Sequence, residues 1–360
     1  MSKIKTIIKR TVLSLFALAA ATVIAGIGIG CCSFSGTKYM GRVSDHFDGE
    51  KFHNQEQTGE KGFSDLFKWM THREPGQWPE QLNEEQGPAP QARVRSDSLV
   101  VTFINHSTVL IQVDGLNILT DPVWSERVSP VSFIGPVRHR KPGLKFSDLP
   151  PIDLVIVSHN HYDHMDLPTL EMLDRKFKPM FLVPLGNKEL LNKYEINNVK
   201  EMDWWDSDSS KGIQIYFVPS RHFSGRGLCD RNKTLWGGYV ILTSGGPVYF
   251  AGDTGFGKHF KQIFDKFGPI RLSMLPVGAY RPRWFMKPIH VNPDEAVQAH
   301  IILHSQTSMA IHWGTFRQAD DGMYEPIDDL KISLAKHNLT ENDFLVLKHG
   351  IGKNIEALKK

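Results

Sequence analysis

The sequence predicts a mixed α/β sandwich. Short apolar runs alternate with amphipathic helical patterns along most of the chain, several of the runs pair as hairpins, and chemically active residues gather just beyond the ends of the runs. The composition permits such a fold. With 360 residues, 41% apolar and 22% charged, the chain can bury a large core and is neither collagen-like, coiled-coil nor wholly disordered.

In chain order, the first element is a basic stretch, Met1 to Arg10, followed by an uncharged stretch from Thr11 to Cys32. This is the layout of a signal peptide or membrane anchor over residues 1–32, and the apolar part reaches the roughly 20 residues needed to span a bilayer. Positive charge ahead of the apolar run keeps the first ten residues in the cytoplasm and directs the rest across. Gly28-Ile29-Gly30-Cys31 resembles the end of a bacterial lipoprotein signal, so cleavage with lipidation at Cys31 and retention as a helix are both open. Cys229 is the third and last cysteine, which predicts no disulfide framework. The 42 basic and 39 acidic residues give +3, but Lys3, Lys5, Lys9 and Arg10 account for +4 of it, leaving −1 beyond residue 32. A nucleic-acid partner is therefore not expected.

Residues 33–92 are rich in Gly, Pro, Gln and Glu and read as a polar spacer with short helical patches such as Phe63 to Met70. Regular structure follows over 93–355. Asp114-Gly115 joins two β-branched runs as a hairpin turn, and further strands are expected at 154–157, 180–184, 213–219, 238–243, 247–251, 272–277 and 308–313. Helical patterns lie between them, as in LPTLEMLDRKF and PDEAVQAHIILH. There is no internal repeat.

The chemistry sits at strand ends. After Leu154 to Val157 comes Ser158-His159-Asn160-His161-Tyr162-Asp163-His164, four metal-competent side chains within six residues. So tight a loop cannot wrap one tetrahedral ion alone. Alternate residues of an extended segment point the same way, so His159 and His161 can share one metal while Asp163 and His164 turn toward a second. His222, Asp253 and His312 each close another apolar run and can complete the two shells, because ligands gather at the carboxyl ends of strands in α/β sheets.

His159, His161, Asp163 and His164 make up a His-x-His-x-Asp-His signature, and the chain resembles the metallo-β-lactamase superfamily. That resemblance implies an αββα four-layer sandwich with a dinuclear site at one edge. It also implies His159, His161 and His222 on one metal, Asp163, His164 and His312 on the other, and Asp253 bridging. From about Val94 to Gly350 the motifs LTDPVWSERVSPVSFIGP, SHNHYDHMD, MDWWD, FAGDTG, PVGAYRPRWFMKPIHVNPDEAV, MAIHWGTF and FLVLKHG are similar to the enzymes that hydrolyse N-acyl-phosphatidylethanolamine by a phospholipase D reaction. The exported N-terminal segment departs from the mammalian members.

The expected activity is thus that of a dinuclear metal phosphodiesterase acting on a phospholipid at its headgroup-side ester through a metal-bound hydroxide. Two zinc ions suit a ligand set dominated by imidazole, with manganese or iron as alternatives. Asp163 and His290 are the candidate catalytic residues. The resemblance gives His290, before the helix at Pro293, a non-ligand role toward the phosphate or leaving group, and His106 can orient the site from behind the ligands. Arg283 and Trp284, within Arg281 to Lys287, suit an anionic headgroup beside acyl chains or a bilayer surface, or pack as an ordinary loop; Trp204 and Trp205 read as packing. The expected partners are the phospholipid and a membrane surface, and the oligomeric state is left open. A lactonase using the same metal chemistry and a noncatalytic envelope protein retaining the fold are the alternatives.

Overall fold

The protein is described by a computed structural model covering residues 11, 35–57, 59, 61–95, 98–209 and 211–359. The N-terminal anchor expected over 1–32 lies outside the described residues apart from Thr11. Among the described residues no helix is long and apolar enough to cross a membrane.

Two seven-stranded sheets face each other. The strands of the first are β1 (Leu99–Asn105), β2 (Thr108–Val113), β3 (Leu116–Thr120), β4 (Leu154–Ile156), β5 (Met180–Pro184) and β6 (Val199–Met202). The second begins with β7 (Ser207–Asp208), β8 (Gln214–Val218), β9 (Gly238–Thr243) and β10 (Gly246–Phe250). It continues with β11 (Leu272–Pro276), β12 (Thr307–Ile311) and β13 (Phe344–Leu345), and β14 (Gly352–Asn354) returns to the first sheet beside β1. Each sheet is mixed. β1 to β3 and β7 to β10 pair antiparallel, whereas β3 to β6 and β10 to β13 pair parallel.

The central strands, such as β4 and β5, read as continuous apolar runs because both faces are covered. In β4, Leu154 and Ile156 join the core between the sheets, while Val155 packs outward against the buried side chains of helix α2 (Leu167–Phe177), Leu167, Leu170 and Leu173. β2 divides likewise, with Val109, Ile111 and Val113 inward and Leu110 outward. Over the second sheet lie α4 (His259–Phe267), α6 (Pro293–Ile302) and α7 (Glu325–Lys336), which add Phe260, Ile263, Ala296, Val297, Leu330 and Leu334 to the central core. The remaining helices are α1 (Phe63–Thr71), α3 (Lys188–Lys193) and α5 (Arg283–Met286). The helix after His290 starts where the pattern places it. Asn292 accepts from the Glu295 N–H at 2.8 Å and the Glu295 carboxylate accepts from the Asn292 N–H at 3.1 Å, a reciprocal cap that satisfies two otherwise unpaired donors.

Two expectations are corrected. The described part of the polar segment 33–92 is not a free spacer but packs against the sandwich. Phe47 and Phe52 are fully buried in the central core with ring centroids 4.6 Å apart, and the Phe52 N–H donates to the Asn232 carbonyl at 2.8 Å. Phe47 and Phe52 stand singly among polar and charged neighbours, so no apolar period marks the packing. Cys229 is disulfide-bonded; cysteine spacing along the chain carries no information on which thiols the fold brings together.

Candidate metal centre

Strands β1, β3, β4, β8, β10 and β12 deliver His106, Asp121, the 158–164 loop, His222, Asp253 and His312 from their carboxyl ends to one edge of the sandwich. Among the described residues four overlapping groups of ligand atoms result, and two of them hold six of the seven expected ligands. His159, His161 and His222 form one, with His159 Nε2 2.7 Å and His222 Nε2 3.4 Å from His161 Nδ1. Asp163, His164 and His312 form the other, together with His106. Asp253 Oδ2 lies between the groups, 3.1 Å from His312 Nε2, 3.3 Å from His164 Nε2 and 3.7 Å from His222 Nε2. All seven side chains expected as ligands therefore converge.

Three of the five imidazoles, His164, His222 and His159, are aimed by the nitrogen that faces away. His164 Nδ1 meets Asp121 Oδ2 at 2.6 Å with both side chains fully buried, and Asp121 also accepts from the Ser158 N–H at 2.7 Å and hydroxyl at 2.6 Å. His222 Nδ1 donates to the Ile289 carbonyl at 2.9 Å, and His159 Nδ1 sits 2.9 Å from Ser158 Oγ. Outer partners of this kind fix the tautomer and direction of a ligating ring. His106 sits beside the second group, where its Nε2–H donates to Asp163 Oδ2 at 2.9 Å, next to a second donor, Gln318 Nε2, at 2.7 Å. The loop itself is clamped by Arg226, which donates to the carbonyls of Asn160 and Met165 at 2.8 and 2.9 Å and lies 3.9 Å from the Tyr162 ring centroid.

Backbone strain accompanies this geometry. His106, Asp121 and His312 all adopt positive φ, at 44°, 32° and 60°, a region uncommon for residues with a Cβ and typical of sites whose surroundings over-determine them. His312 is held there partly by its N–H bond to the His106 carbonyl, 2.7 Å. The electrostatics agree. Burial pushes His159 well below the ordinary histidine value and His161 and His222 to about 3, leaving neutral rings. Burial alone would also lower His312, but Asp253 and Asp163 lift it to about 9, and the same carboxylates with Asp121 raise His164.

Residues 116–313 match the family described as the beta-lactamase superfamily domain. The chain belongs to that superfamily. It is 40% identical over 265 residues to N-acyl-phosphatidylethanolamine-hydrolyzing phospholipase D 1 of Caenorhabditis elegans, covering 70% of this chain and 74% of that one. To the mitochondrial N-acyl-phosphatidylethanolamine-hydrolyzing phospholipase D of Saccharomyces cerevisiae it is 36% identical over 238 residues, 64% of this chain and 51% of that one. Among solved structures, the isothiocyanate hydrolase from Delia radicum gut bacteria shares the fold with a TM-score of 0.57 at 18% identity, over 72% of this chain and 100% of that one. The protein is accordingly a metal-dependent hydrolase of the beta-lactamase superfamily.

The residues fit metal ions of that superfamily. Among the described residues His164 Nε2, His312 Nε2 and Asp253 Oδ1 are buried and make no well-aligned hydrogen bond, although Asp253 Oδ2 lies 3.3 and 3.1 Å from the two ring nitrogens and unpaired buried polar atoms are costly. All three belong to residues that converge at the centre, and the carboxylate field that draws a proton onto His164 and His312 is one that favours a cation.

The centre forms the floor of a cavity of about 640 Å³. Leu66, Trp69, Phe223, Leu228, Phe285 and Ile289 supply apolar wall, and Lys61 and Arg231 are its cationic lining residues. His290 lines it too, its Nδ1 unpaired and 4.0 Å from Asp253 Oδ2. Arg283 and Trp284, expected to contact substrate, are not lining residues. Arg283 is committed to Glu295 Oε2 at 2.7 Å and the His290 carbonyl at 2.8 Å, which makes it a brace for the His290 backbone. Trp284 is partly exposed beneath Lys61 and Lys68, whose Nζ atoms lie 5.6 and 5.0 Å from its ring centroid. Trp204 is buried in the core.

Asp121 and Gln318 were not among the residues marked from sequence. Asp121 carried a signal, an acid closing an apolar run in Leu119-Thr120-Asp121-Pro122 as the candidate ligands do; Gln318, in an irregular loop after β12, carried none.

Proposed function

We propose that the protein is a dinuclear metal phosphodiesterase that hydrolyses a phospholipid of the N-acyl-phosphatidylethanolamine type, releasing the headgroup and leaving the phosphate on the glycerolipid. The observation that carries this is two clusters of candidate ligands, joined by Asp253, at the floor of a cavity whose walls are mainly apolar. The similarity to two enzymes named for this reaction supports the same substrate class. His159, His161 and His222 would hold one ion, Asp163, His164 and His312 the other, and Asp253 both; the imidazole-rich set favours zinc. Bound there, such ions supply Lewis acidity and lower the pKa of water.

The remaining steps belong to side chains. Asp163, fixed by His106 and Gln318, keeps one face of the centre anionic and immobile. His290, neutral because burial holds it well below the ordinary histidine value, presents a ring N–H that can donate to a phosphoryl oxygen as charge builds there. A water oxygen bonds to phosphorus, the ester bond to the headgroup oxygen breaks, and the departing oxygen takes a proton. The apolar wall accommodates acyl chain and excludes water from the floor. The test is mass spectrometry of products from purified enzyme with N-acyl-phosphatidylethanolamine vesicles and, separately, with lactones. Phosphatidate plus N-acylethanolamine is the expected result; turnover of lactones alone would refute it.

Membrane docking and export belong to the same proposal. Leu66 and Leu228 line the cavity and are also exposed, Phe67 and Met70 follow on α1, and Trp284 stands under two lysines. Val128, another lining residue, bonds to the Pro136 carbonyl at the base of a loop whose tip exposes Phe133 (80%) and Ile134 (63%). Such an apolar collar with basic residues suits a bilayer interface that carries anionic lipid. The disulfide at Cys229 suits an oxidising compartment, as the N-terminal charge pattern does. Protease added to cells with the outer envelope opened and the inner membrane sealed should digest the catalytic domain. A protected domain would refute export, and fractionation of Cys31→Ala would separate lipid from helix as the anchor.

A further inference from the structure

Asn54 lies in the segment that composition marks as a spacer, yet its side chain reaches the metal centre. Its amide nitrogen donates to the His222 carbonyl at 2.8 Å, and its amide oxygen accepts from the His222 N–H at 3.1 Å and from the Trp236 indole N–H at 3.1 Å. One planar amide thus engages both backbone groups of a single residue, as a neighbouring strand would. His222 stands four residues beyond the end of β8, where the sheet no longer supplies that pairing.

The His222 ring is pinned as well, since Nδ1–H donates to the Ile289 carbonyl and Nε2 is left facing His161 and Asp253. With the backbone gripped on one side and the ring on the other, the position of Nε2 follows from two contacts outside its own loop. Asn54 is itself firmly presented. Two residues earlier Phe52 is buried in the core and bonded to Asn232, and two residues later Glu56 accepts from the Lys258 N–H at 2.8 Å. Next to it, the His53 N–H donates to the carbonyl of His46, whose imidazole contacts Asp203 at 2.7 Å and stacks on Trp204 at 4.4 Å.

We infer that Asn54 is a positioning residue for His222, which makes the N-terminal segment a working part of the metal centre and not only a tether. This rests on the reading of His222 as a ligand. Supporting partners of a ligating histidine typically change metal affinity or activity by ~10- to 100-fold when removed.

The test is metal affinity by chelator competition in the full-length protein, with kcat, KM and the Tm of the metal-free form measured alongside. Asn54→Ala should weaken one of the two ions by roughly 10- to 100-fold and lower kcat while KM stays within about twofold. Asn54→Asp has the same shape and retains both acceptor bonds, but it loses the donor and sets a carboxylate oxygen against the His222 carbonyl. A space-filling or purely structural role predicts wild-type metal affinity for Asn54→Asp; positioning predicts a loss like that of alanine, with the metal-free Tm little changed. If the alanine variant does not fold, the aspartate variant carries the same comparison. His222→Ala is the control and should lose one ion outright. Wild-type metal affinity in both Asn54 variants, with His222→Ala one ion short, would overturn the Asn54 inference alone. Retention of both ions by His222→Ala would overturn the ligand assignment and this inference with it.

Discussion

Asp253→Asn should hold fewer than two ions per chain and lose on the order of 10³-fold or more in turnover. The substitution keeps the size of the side chain and removes its charge at the point where His312, His164 and His222 all approach within 3.7 Å. The carboxylate is buried and already held far below its ordinary pKa: burial alone would raise it, but His164 and His312 outweigh that cost. A neutral amide cannot balance cations on both sides, and its NH₂ group would have to point at a ring nitrogen or a metal. Lewis-acid polarisation of a phosphoryl oxygen is worth several kcal/mol, and each ~1.4 kcal/mol is a factor of ten in rate. Elemental analysis of the purified protein alongside steady-state turnover makes the check, with about two zinc ions expected in the wild type. Near-normal rates with two ions bound in Asp253→Asn would exclude a bridging role, and a fully active wild type with one ion would exclude the dinuclear mechanism. His159→Ala should fail through the other route, by stripping one of three nitrogens from a single ion.

The residues that converge at the centre were legible in the sequence because they obey a local rule. Each follows a run of β-branched and aromatic residues, and strand ends at one edge of a sandwich meet in space whatever the order of the strands. The sheets were legible for the same reason, since strands covered on both faces leave unbroken apolar runs such as Leu154 to Val157. Contacts made by single residues across long separations were not legible. Asn54 meets His222 from 168 residues away and Gln318 meets Asp163 from 155, and neither residue type marks its position by a period or a motif. Arg283 shows the converse error. A cation among aromatics looks like a headgroup contact, but its guanidinium finds Glu295 and the His290 carbonyl first, because a half-buried arginine must be paired before it can be offered to a ligand. The strained backbone at His312 was equally out of reach: a glycine signals left-handed φ by its identity, whereas a histidine at φ 60° does so only through the neighbours that hold it there.

The second large effect separates chemistry from metal binding. His290→Ala should retain both ions and lose about 10²- to 10⁴-fold in kcat, the range for a positioned side chain acting on the reacting group. The geometry places the ring on the same cavity as the centre while keeping it at its margin. Its Nδ1 is 4.0 Å from Asp253 Oδ2, and its centroid is 5.1 Å from that of His222 and 5.4 Å from that of His312. His222, Asp253 and His290 are close enough together to form another potential metal group, so a ligand role is the competing assignment. Two features favour the non-ligand role. Each of the two main groups has at least three ligand atoms without His290, and its backbone is braced independently, by the Arg283 guanidinium on its carbonyl and the Met286 carbonyl on its N–H. A residue held in this way can face a phosphate entering above the floor without being drawn onto an ion. The measurement is metal content together with single-turnover rates at saturating substrate. Loss of one ion in His290→Ala would make it a ligand, and His290→Gln, which restores an N–H donor without an imidazole, should recover part of the rate only if hydrogen-bond donation to the phosphoryl group is what the histidine provides.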